Sequence, residues 1–77
     1  MIMFYRSRTT AGDFKIVPLT NGRWLAMFEN ENLGSYDSAE KALYDLSGGH
    51  SDWPSCGDPS SFNLPDELQD WEVVRVR

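Results

Sequence analysis

The alternation of apolar and polar positions predicts several short strands in the first half of the chain. Residues 2–7 combine β-branched, aromatic and thioether side chains, which is typical of a strand with at least one buried face. Alternating patterns follow at residues 14–19 and 23–28, and Asn21-Gly22 between them favours a hairpin turn. After polar residues 29–32, residues 33–36 can form a short fourth strand. We therefore expect an antiparallel meander.

A helical pattern follows this meander. One apolar stripe has the spacing i, i+3, i+4 and i+7, and its members are Ala39, Ala42, Leu43 and Leu46. Asp37, three residues before Glu40, is expected to cap the helix in a variant of the capping box. Gly48-Gly49 supplies the stop signal. The pattern predicts a helix of two to three turns that lies on one face of the sheet.

The last third of the chain begins with a long segment without periodicity, residues 47–64. A loop of this length in so small a domain is expected either to be functional or to be held in place by packing of its own aromatic side chains, Trp53 and Phe62. Residues 65–70 predict one helical turn with Pro65 near its start, and residues 71–76 predict a strand beside the first one. The predicted fold class is α+β: a small antiparallel sheet of four or five strands, one main helix on a face, and a long ordered loop before the C-terminal strand.

Length and composition favour a single domain over residues 1–77. The chain is 40% hydrophobic and 13% aromatic, which is enough to bury a small core without covalent staples. Cys56 is the only cysteine, so no intramolecular disulfide can form and a reducing, cytoplasmic setting is expected. Because no stretch of about 18 apolar residues and no basic start before an apolar run occur, neither a membrane span nor export is expected.

The charge of the chain is unevenly distributed. The total is −5, but residues 1–28 hold four basic residues and one acid, whereas residues 29–72 hold eleven acids and one base. Arg75 and Arg77 follow at the end. Direct nucleic-acid binding is not expected, because such domains neutralise phosphates with clustered Lys and Arg. Basic residues therefore predominate at the two ends of the chain, and acidic residues predominate in residues 29–72, which are called the acidic middle.

The acidic middle has two interpretations. Many cytosolic proteins are acidic because acids improve solubility. Alternatively, closely spaced carboxylates can imitate duplex DNA, which presents one charge per ~1.7 Å of axis, and attract a basic protein partner. The residues expected to act as phosphate surrogates come from the helix end, the loop and the final turn, and they are Asp45, Asp52, Asp58, Asp66, Glu67 and Asp70.

The long loop contains residues that suit two further kinds of site. Trp53 could anchor an aromatic docking patch for a partner. Cys56 and His50, with Asp52 or Asp58 nearby, contain the residue types of a thiol nucleophile or a zinc site. The paired ligand spacing of a structural zinc site is missing, since the chain has one Cys and one His. We therefore expect no metal, no cofactor and no enzymatic activity.

Part of the chain resembles known proteins. Three segments carry the likeness: Asp45-Leu46-Ser47-Gly48-Gly49-His50, then Trp53-Pro54-Ser55-Cys56-Gly57-Asp58-Pro59, then Leu64-Pro65-Asp66-Glu67-Leu68 with Trp71. They resemble a segment of small uncharacterised bacterial and phage-associated proteins over about the last forty residues, together with the Gly22-Arg23-Trp24 strand and Gly34-Ser35-Tyr36. That group has no assigned catalytic residues. The resemblance implies a compact stand-alone domain.

In size, acidity and lack of a catalytic motif, the chain also resembles the small phage anti-CRISPR proteins, several of which occupy nucleic-acid-binding surfaces by DNA mimicry. This resemblance implies a monomeric inhibitor in the cytoplasm of a bacterial host, which blocks target DNA binding by a CRISPR surveillance complex through a basic surface of that complex. The alternative is a bacterial regulatory or housekeeping interaction domain that uses Trp53. The second alternative is a thiol or metal function at Cys56 and His50.

Overall fold

The computed structural model describes residues 2–49, 57 and 59–76. It contains a five-stranded antiparallel sheet made of β1 (Ile2–Arg8), β2 (Asp13–Pro18), β3 (Trp24–Phe28), β4 (Glu31–Tyr36) and β5 (Glu72–Val76). The strand order is β4-β3-β2-β1-β5, so the last strand lies beside the first, as predicted. The helix α1 (Ala39–Gly48) packs on one face, and 3₁₀ helices occur at Pro59–Phe62 and Leu68–Asp70. The predicted α+β class is confirmed.

The β2–β3 connection is the hairpin that Asn21-Gly22 predicted. The amide of Leu19 donates to the carbonyl of Arg23 at 2.7 Å, and the amide of Gly22 donates to the carbonyl of Leu19 at 3.2 Å. Gly22 has φ +83°, which glycine adopts without steric cost. Asn21 keeps an ordinary negative φ, and its Oδ1 accepts from the amide of Arg23 instead.

The core lies between α1 and the face of the sheet that α1 covers. Phe14 and Ile16 on β2 are fully buried there, together with Ala26 on β3 and Leu46 on α1. The Phe14 ring lies 4.8 Å from that of Phe28, and aromatic pairs at such separations are stabilising. Burying one such large apolar side chain contributes about 1.5–3 kcal/mol. The stripe predicted for α1 is the buried face of the helix.

The N-terminus of α1 is capped by Ser38, so the prediction that Asp37 caps the helix was wrong. The Ser38 side chain accepts a hydrogen bond from the Lys41 amide at 3.2 Å. Asp37 instead accepts from Arg23 Nη1 of the β2–β3 hairpin at 2.6 Å. At the other end, Gly49 takes the left-handed conformation with φ +75°, which confirms the predicted glycine stop.

Two other boundaries differ from expectation. β4 begins at Glu31 and contains an irregularity, because Ala26 faces Gly34 while the next residue, Met27, faces Asn32. The extra residue, Leu33, is buried, and a bulge of this kind hides the alternating pattern from the sequence. Near the C-terminal strand, the predicted helical turn over residues 65–70 is shorter, a 3₁₀ helix at Leu68–Asp70. A second 3₁₀ helix, Pro59–Phe62, lies inside the predicted loop.

The sheet face opposite α1 is called the open face below. Successive residues of a strand point to opposite faces, so the neighbours of buried Phe14 and Ile16 lie there. Register places Lys15 opposite both Arg6 and Met27. The open face includes Phe4, Arg6, Arg8, Asp13, Lys15, Val17, Leu25, Met27, Glu72 and Val74.

In the part of the chain that the structure describes, no helix has the length and apolar character needed to cross a bilayer.

Candidate protein-interaction site

One side of α1 is directed away from the core and carries polar and aromatic residues. Glu40, Tyr44 and Ser47 have the spacing i, i+4 and i+7, so they form a single line on the helix surface. Tyr44 is 69% exposed, the most exposed of the large hydrophobic side chains that the structure describes. Its neighbour Leu43 belongs to the core. The outer side of α1 therefore combines a carboxylate, an aromatic ring and a hydroxyl beside apolar surface.

The segment before β5 is held against this side of α1 by Trp71. The Trp71 ring is buried, and its Nε1 donates a hydrogen bond to the Pro65 carbonyl at 2.9 Å. The Asp70 amide donates to the Glu67 carbonyl at 3.0 Å, which tightens the turn. Gln69 Nε2 donates to Glu67 Oε2 at 2.6 Å and orients that carboxylate. The acids of this segment therefore lie on a turn that these hydrogen bonds hold in place.

A groove of about 710 Å³ lies between α1 and this segment and is called the α1 groove. Leu43 and Leu68 supply apolar lining, while Glu40, Asp66 and Glu67 supply carboxylates. Of the described residues that line it, none is Lys or Arg. Asp66, Glu67 and Glu40 are all exposed, so a partner can reach them.

A second depression of about 520 Å³ adjoins the first and shares Glu40 and Tyr44 with it. Its other lining residues are Tyr36, Lys41 and Asp45. Tyr44 therefore stands on a ridge between two depressions, with carboxylates on both sides. Lys41 is the one cation among the described residues that line either of them.

The structure brings together three of the predicted partner-binding acids. Asp66 and Glu67 line the α1 groove, and Asp45 lines the adjoining depression. Asp70 is exposed on the 3₁₀ helix and lies outside both linings. Asp52, Trp53 and Asp58 lie outside the described residues. The same holds for the thiol or metal alternative at Cys56 and His50.

Glu40 and Tyr44 belong to the site, although neither was predicted as a partner-binding residue. The sequence places Glu40 in a capping box with Asp37, whereas the N-cap contact is made by Ser38, which accepts from the Lys41 amide. Tyr44 falls off the apolar stripe of α1, and a large aromatic residue on the polar side of an amphipathic helix is a signal that could have identified it.

Three of the basic residues in the first 28 positions are paired with acids that do not line the α1 groove. Arg6 Nη2 lies 2.6 Å from Glu72 Oε2, and Arg8 Nε lies 3.9 Å from Glu72 Oε1. The hydrogen bond from Arg6 lowers the pKa of Glu72, and the same contact raises the pKa of Arg6. Arg23 binds Asp37 and the Ser35 carbonyl. None of these ion pairs therefore uses an acid that lines the α1 groove.

Within residues 2–49, 57 and 59–76, no three His, Cys, Asp or Glu side chains are grouped so that they could hold a metal ion. The carboxylates of the α1 groove are arranged around apolar surface and lack a nearby His or Cys among the described lining residues. The arrangement is suited to binding cationic groups together with an apolar side chain.

Comparison with protein-family models, with curated proteins and with solved structures found no match for this chain.

Proposed function

We propose that this protein is a non-enzymatic inhibitor whose acidic α1 side occupies the nucleic-acid-binding surface of a basic protein partner, with CRISPR surveillance complexes as the leading targets. The observation that carries the proposal is the grouping of Glu40, Asp66 and Glu67 around one groove lined by no described Lys or Arg. Because Asp45 lies beside them, carboxylates extend across both depressions. Such a surface attracts the Lys and Arg side chains that otherwise neutralise phosphates.

The separation of charges supports this function. A protein with a net charge of −5 can still be a poor phosphate mimic if its cations neutralise its own acids locally. Here Arg6 and Arg8 contact Glu72, and Arg23 contacts Asp37, and neither of these acids lines the α1 groove or the adjoining depression. The acids of the groove therefore remain available to cations of a partner, and long-range attraction speeds the encounter.

The test is competition with DNA. The purified domain is added to purified CRISPR surveillance complexes of several types, and binding of labelled target DNA is followed by electrophoretic mobility shift. The variant Glu40→Gln/Asp66→Asn/Glu67→Gln removes three charges at nearly constant size. We expect it to inhibit at least about tenfold more weakly than the native chain, because charge-assisted contacts dominate such an interface.

A matched control changes the net charge by the same amount elsewhere. Thr10→Lys/Thr20→Lys/Asn30→Lys alters three exposed positions and also raises the net charge by three, while the α1 groove stays intact. We expect this control to inhibit nearly as well as the native chain. If both variants lose inhibition equally, net charge rather than the groove is responsible. If the native domain displaces DNA from none of the complexes, CRISPR surveillance complexes are not its targets.

A second candidate function is favoured by Tyr44. Its 69% exposure beside Leu43 and Leu68 suits a regulatory interaction domain that docks through an aromatic anchor, the role first expected for Trp53. Ionic strength distinguishes the two. Binding by phosphate mimicry weakens steeply as salt rises, whereas binding through Tyr44 changes little with salt and is lost in Tyr44→Ala.

A further inference from the structure

The turn between β2 and β3 brings together the two groups that react when an asparagine loses its side-chain amide. Asn21 and Gly22 are both exposed to solvent. The amide of Arg23 donates a hydrogen bond to Oδ1 of Asn21 at 3.1 Å. The ring closed by this hydrogen bond contains the electrophilic Cγ of Asn21 and the main-chain nitrogen of Gly22. The turn therefore holds an electrophile and a nucleophile close to each other.

Two features of the turn favour attack of this nitrogen on Cγ. The Arg23 amide is directed at the oxygen on which negative charge develops, and such a donor stabilises that charge. Gly22 has no Cβ beside the attacking nitrogen, which leaves the approach open. One contact opposes the attack, because the Gly22 amide donates to the Leu19 carbonyl at 3.2 Å. That distance is at the long limit of the usual range, and solvent can replace the carbonyl at this exposed position.

We propose that Asn21 is a site of spontaneous deamidation, with water as the only co-reactant. A base removes the amide proton of Gly22, and the Gly22 nitrogen forms a bond to Cγ of Asn21. The bond from Cγ to Nδ2 breaks, and Nδ2 takes up a proton and leaves as ammonia. Water then opens the resulting cyclic imide. Cleavage between the imide nitrogen and Cγ gives aspartate, and cleavage between this nitrogen and the main-chain carbonyl carbon gives isoaspartate.

The two products have different consequences for the hairpin. Each adds one negative charge, because a neutral amide becomes a carboxylate. Aspartate keeps the oxygen that accepts from the Arg23 amide. Isoaspartate inserts an additional carbon into the main chain, which displaces the Leu19–Arg23 hydrogen bond that closes the hairpin. We therefore expect the isoaspartyl form to unfold at a lower urea concentration than Asn21→Asp, which has the same charge on an unaltered main chain.

Asn32 is a matched control within the same chain. It is also exposed, and its Oδ1 accepts from the amide of Gly34, two residues further on, at 2.9 Å. The same kind of ring is therefore closed. The residue inside that ring is Leu33, which is buried and has a Cβ beside the attacking nitrogen. Because glycine lacks this hindrance, Asn21 is expected to react at least about tenfold faster than Asn32.

The test is to incubate the purified full chain in neutral and mildly alkaline buffers and to quantify each asparagine by peptide mapping with mass spectrometry. Modification of Asn21 is expected to accelerate as the pH rises, since a base removes the Gly22 proton, and to give both aspartate and isoaspartate. Gly22→Ala is expected to slow the reaction at least about tenfold. Circular dichroism establishes that this variant is folded. If it does not fold, Asn21 and Asn32 are compared in the native chain alone.

Three results overturn the proposal: equal rates at Asn21 and Asn32 in the native chain, equal rates at Asn21 in the native chain and in folded Gly22→Ala, or formation of aspartate without isoaspartate. The third result would show direct hydrolysis of the side chain without the cyclic imide. None of these measurements involves the α1 groove, so the outcome is independent of the proposed inhibition.

Discussion

Arg6 and Glu72 face each other across the β1–β5 pair, with Arg6 Nη2 2.6 Å from Glu72 Oε2. Because Arg6 lowers the pKa of Glu72, the pair stabilises the fold above the ordinary glutamate pKa of about 4.3, and this contribution is lost as the pH falls through the lowered value. Glu72→Gln should therefore lower the melting temperature slightly at pH 7. The difference between the native and variant melting temperatures should shrink as the pH falls below the ordinary glutamate pKa and through the lowered pKa of Glu72.

Thermal melts at pH 7, 5, 4 and 3 measure this convergence. The control is the same substitution in an Arg6→Gln background, where Glu72→Gln should have much less effect because its main partner is gone. Arg8, 3.9 Å from Glu72, accounts for a small remainder. A difference between native protein and Glu72→Gln that is the same at every pH would contradict the assignment.

Ser38, rather than Asp37, is expected to control the stability of α1. Ser38→Ala removes the acceptor of the Lys41 amide and should cost about 0.5–2 kcal/mol of unfolding free energy. Ser38→Asp keeps an acceptor and should restore most of it. Urea unfolding followed by far-UV circular dichroism gives these values.

Asp37→Asn is the comparison for the cap. It removes an exposed carboxylate that Arg23 contacts, and exposed ion pairs contribute little, so its effect should be smaller than that of Ser38→Ala. If Asp37→Asn lowered the unfolding free energy more than Ser38→Ala, Asp37 rather than Ser38 would be the cap.

Gly12 is expected to resist substitution more strongly than Gly22. A Cβ at Gly12 would lie 2.7 Å from Glu29 Oε1 and 2.8 Å from Phe28 Cζ, at φ +151°. Gly12→Ala therefore combines a clash with backbone strain and should cost about 2–4 kcal/mol. At Gly22 no atom lies within 4 Å of a Cβ, so Gly22→Ala should show only the left-handed strain, about 1–2 kcal/mol. Equal urea midpoints for the two variants would rule out the clash.

The hydrogen bond from Trp71 to Pro65 is expected to hold one wall of the α1 groove. Trp71→Phe keeps an aromatic ring but leaves the Pro65 carbonyl without its donor, at a cost of about 1–3 kcal/mol. Amide hydrogen exchange of Asp70 should then accelerate, since its amide closes the turn onto Glu67. Protection of the Phe14 and Ile16 amides should fall only in proportion to global stability. Unchanged exchange at Asp70 would show that the turn holds without Trp71.

The sequence predicted the elements whose local patterns are strong. Alternation at β2 and β3, the Asn21-Gly22 turn and the apolar stripe of α1 each identify their element directly, because burial on one face imposes a fixed period. The cap was mispredicted because Asp37 and Ser38 are both good caps, and the choice depends on Arg23, a residue fourteen positions away. Local sequence does not report that contact.

The candidate site was predicted in part for a similar reason. The acidity of residues 29–72 indicated a carboxylate surface, and Asp45, Asp66 and Glu67 do line adjoining depressions. Their assembly with Glu40 and Tyr44 depends on the packing of the segment before β5 against α1, which Trp71 fixes from the core. No periodicity encodes such a long-range arrangement.

The position of β5 beside β1 has a consequence for synthesis. These strands are separated in sequence by residues 9–71, so β1 leaves the ribosome long before β5 has been synthesised. At about 5–20 residues per second, the outer backbone groups of β1 wait for several seconds without a partner strand. Throughout that interval an incomplete chain offers an unpaired edge to other nascent chains, and charged Arg6 and Arg8 on that strand oppose such pairing.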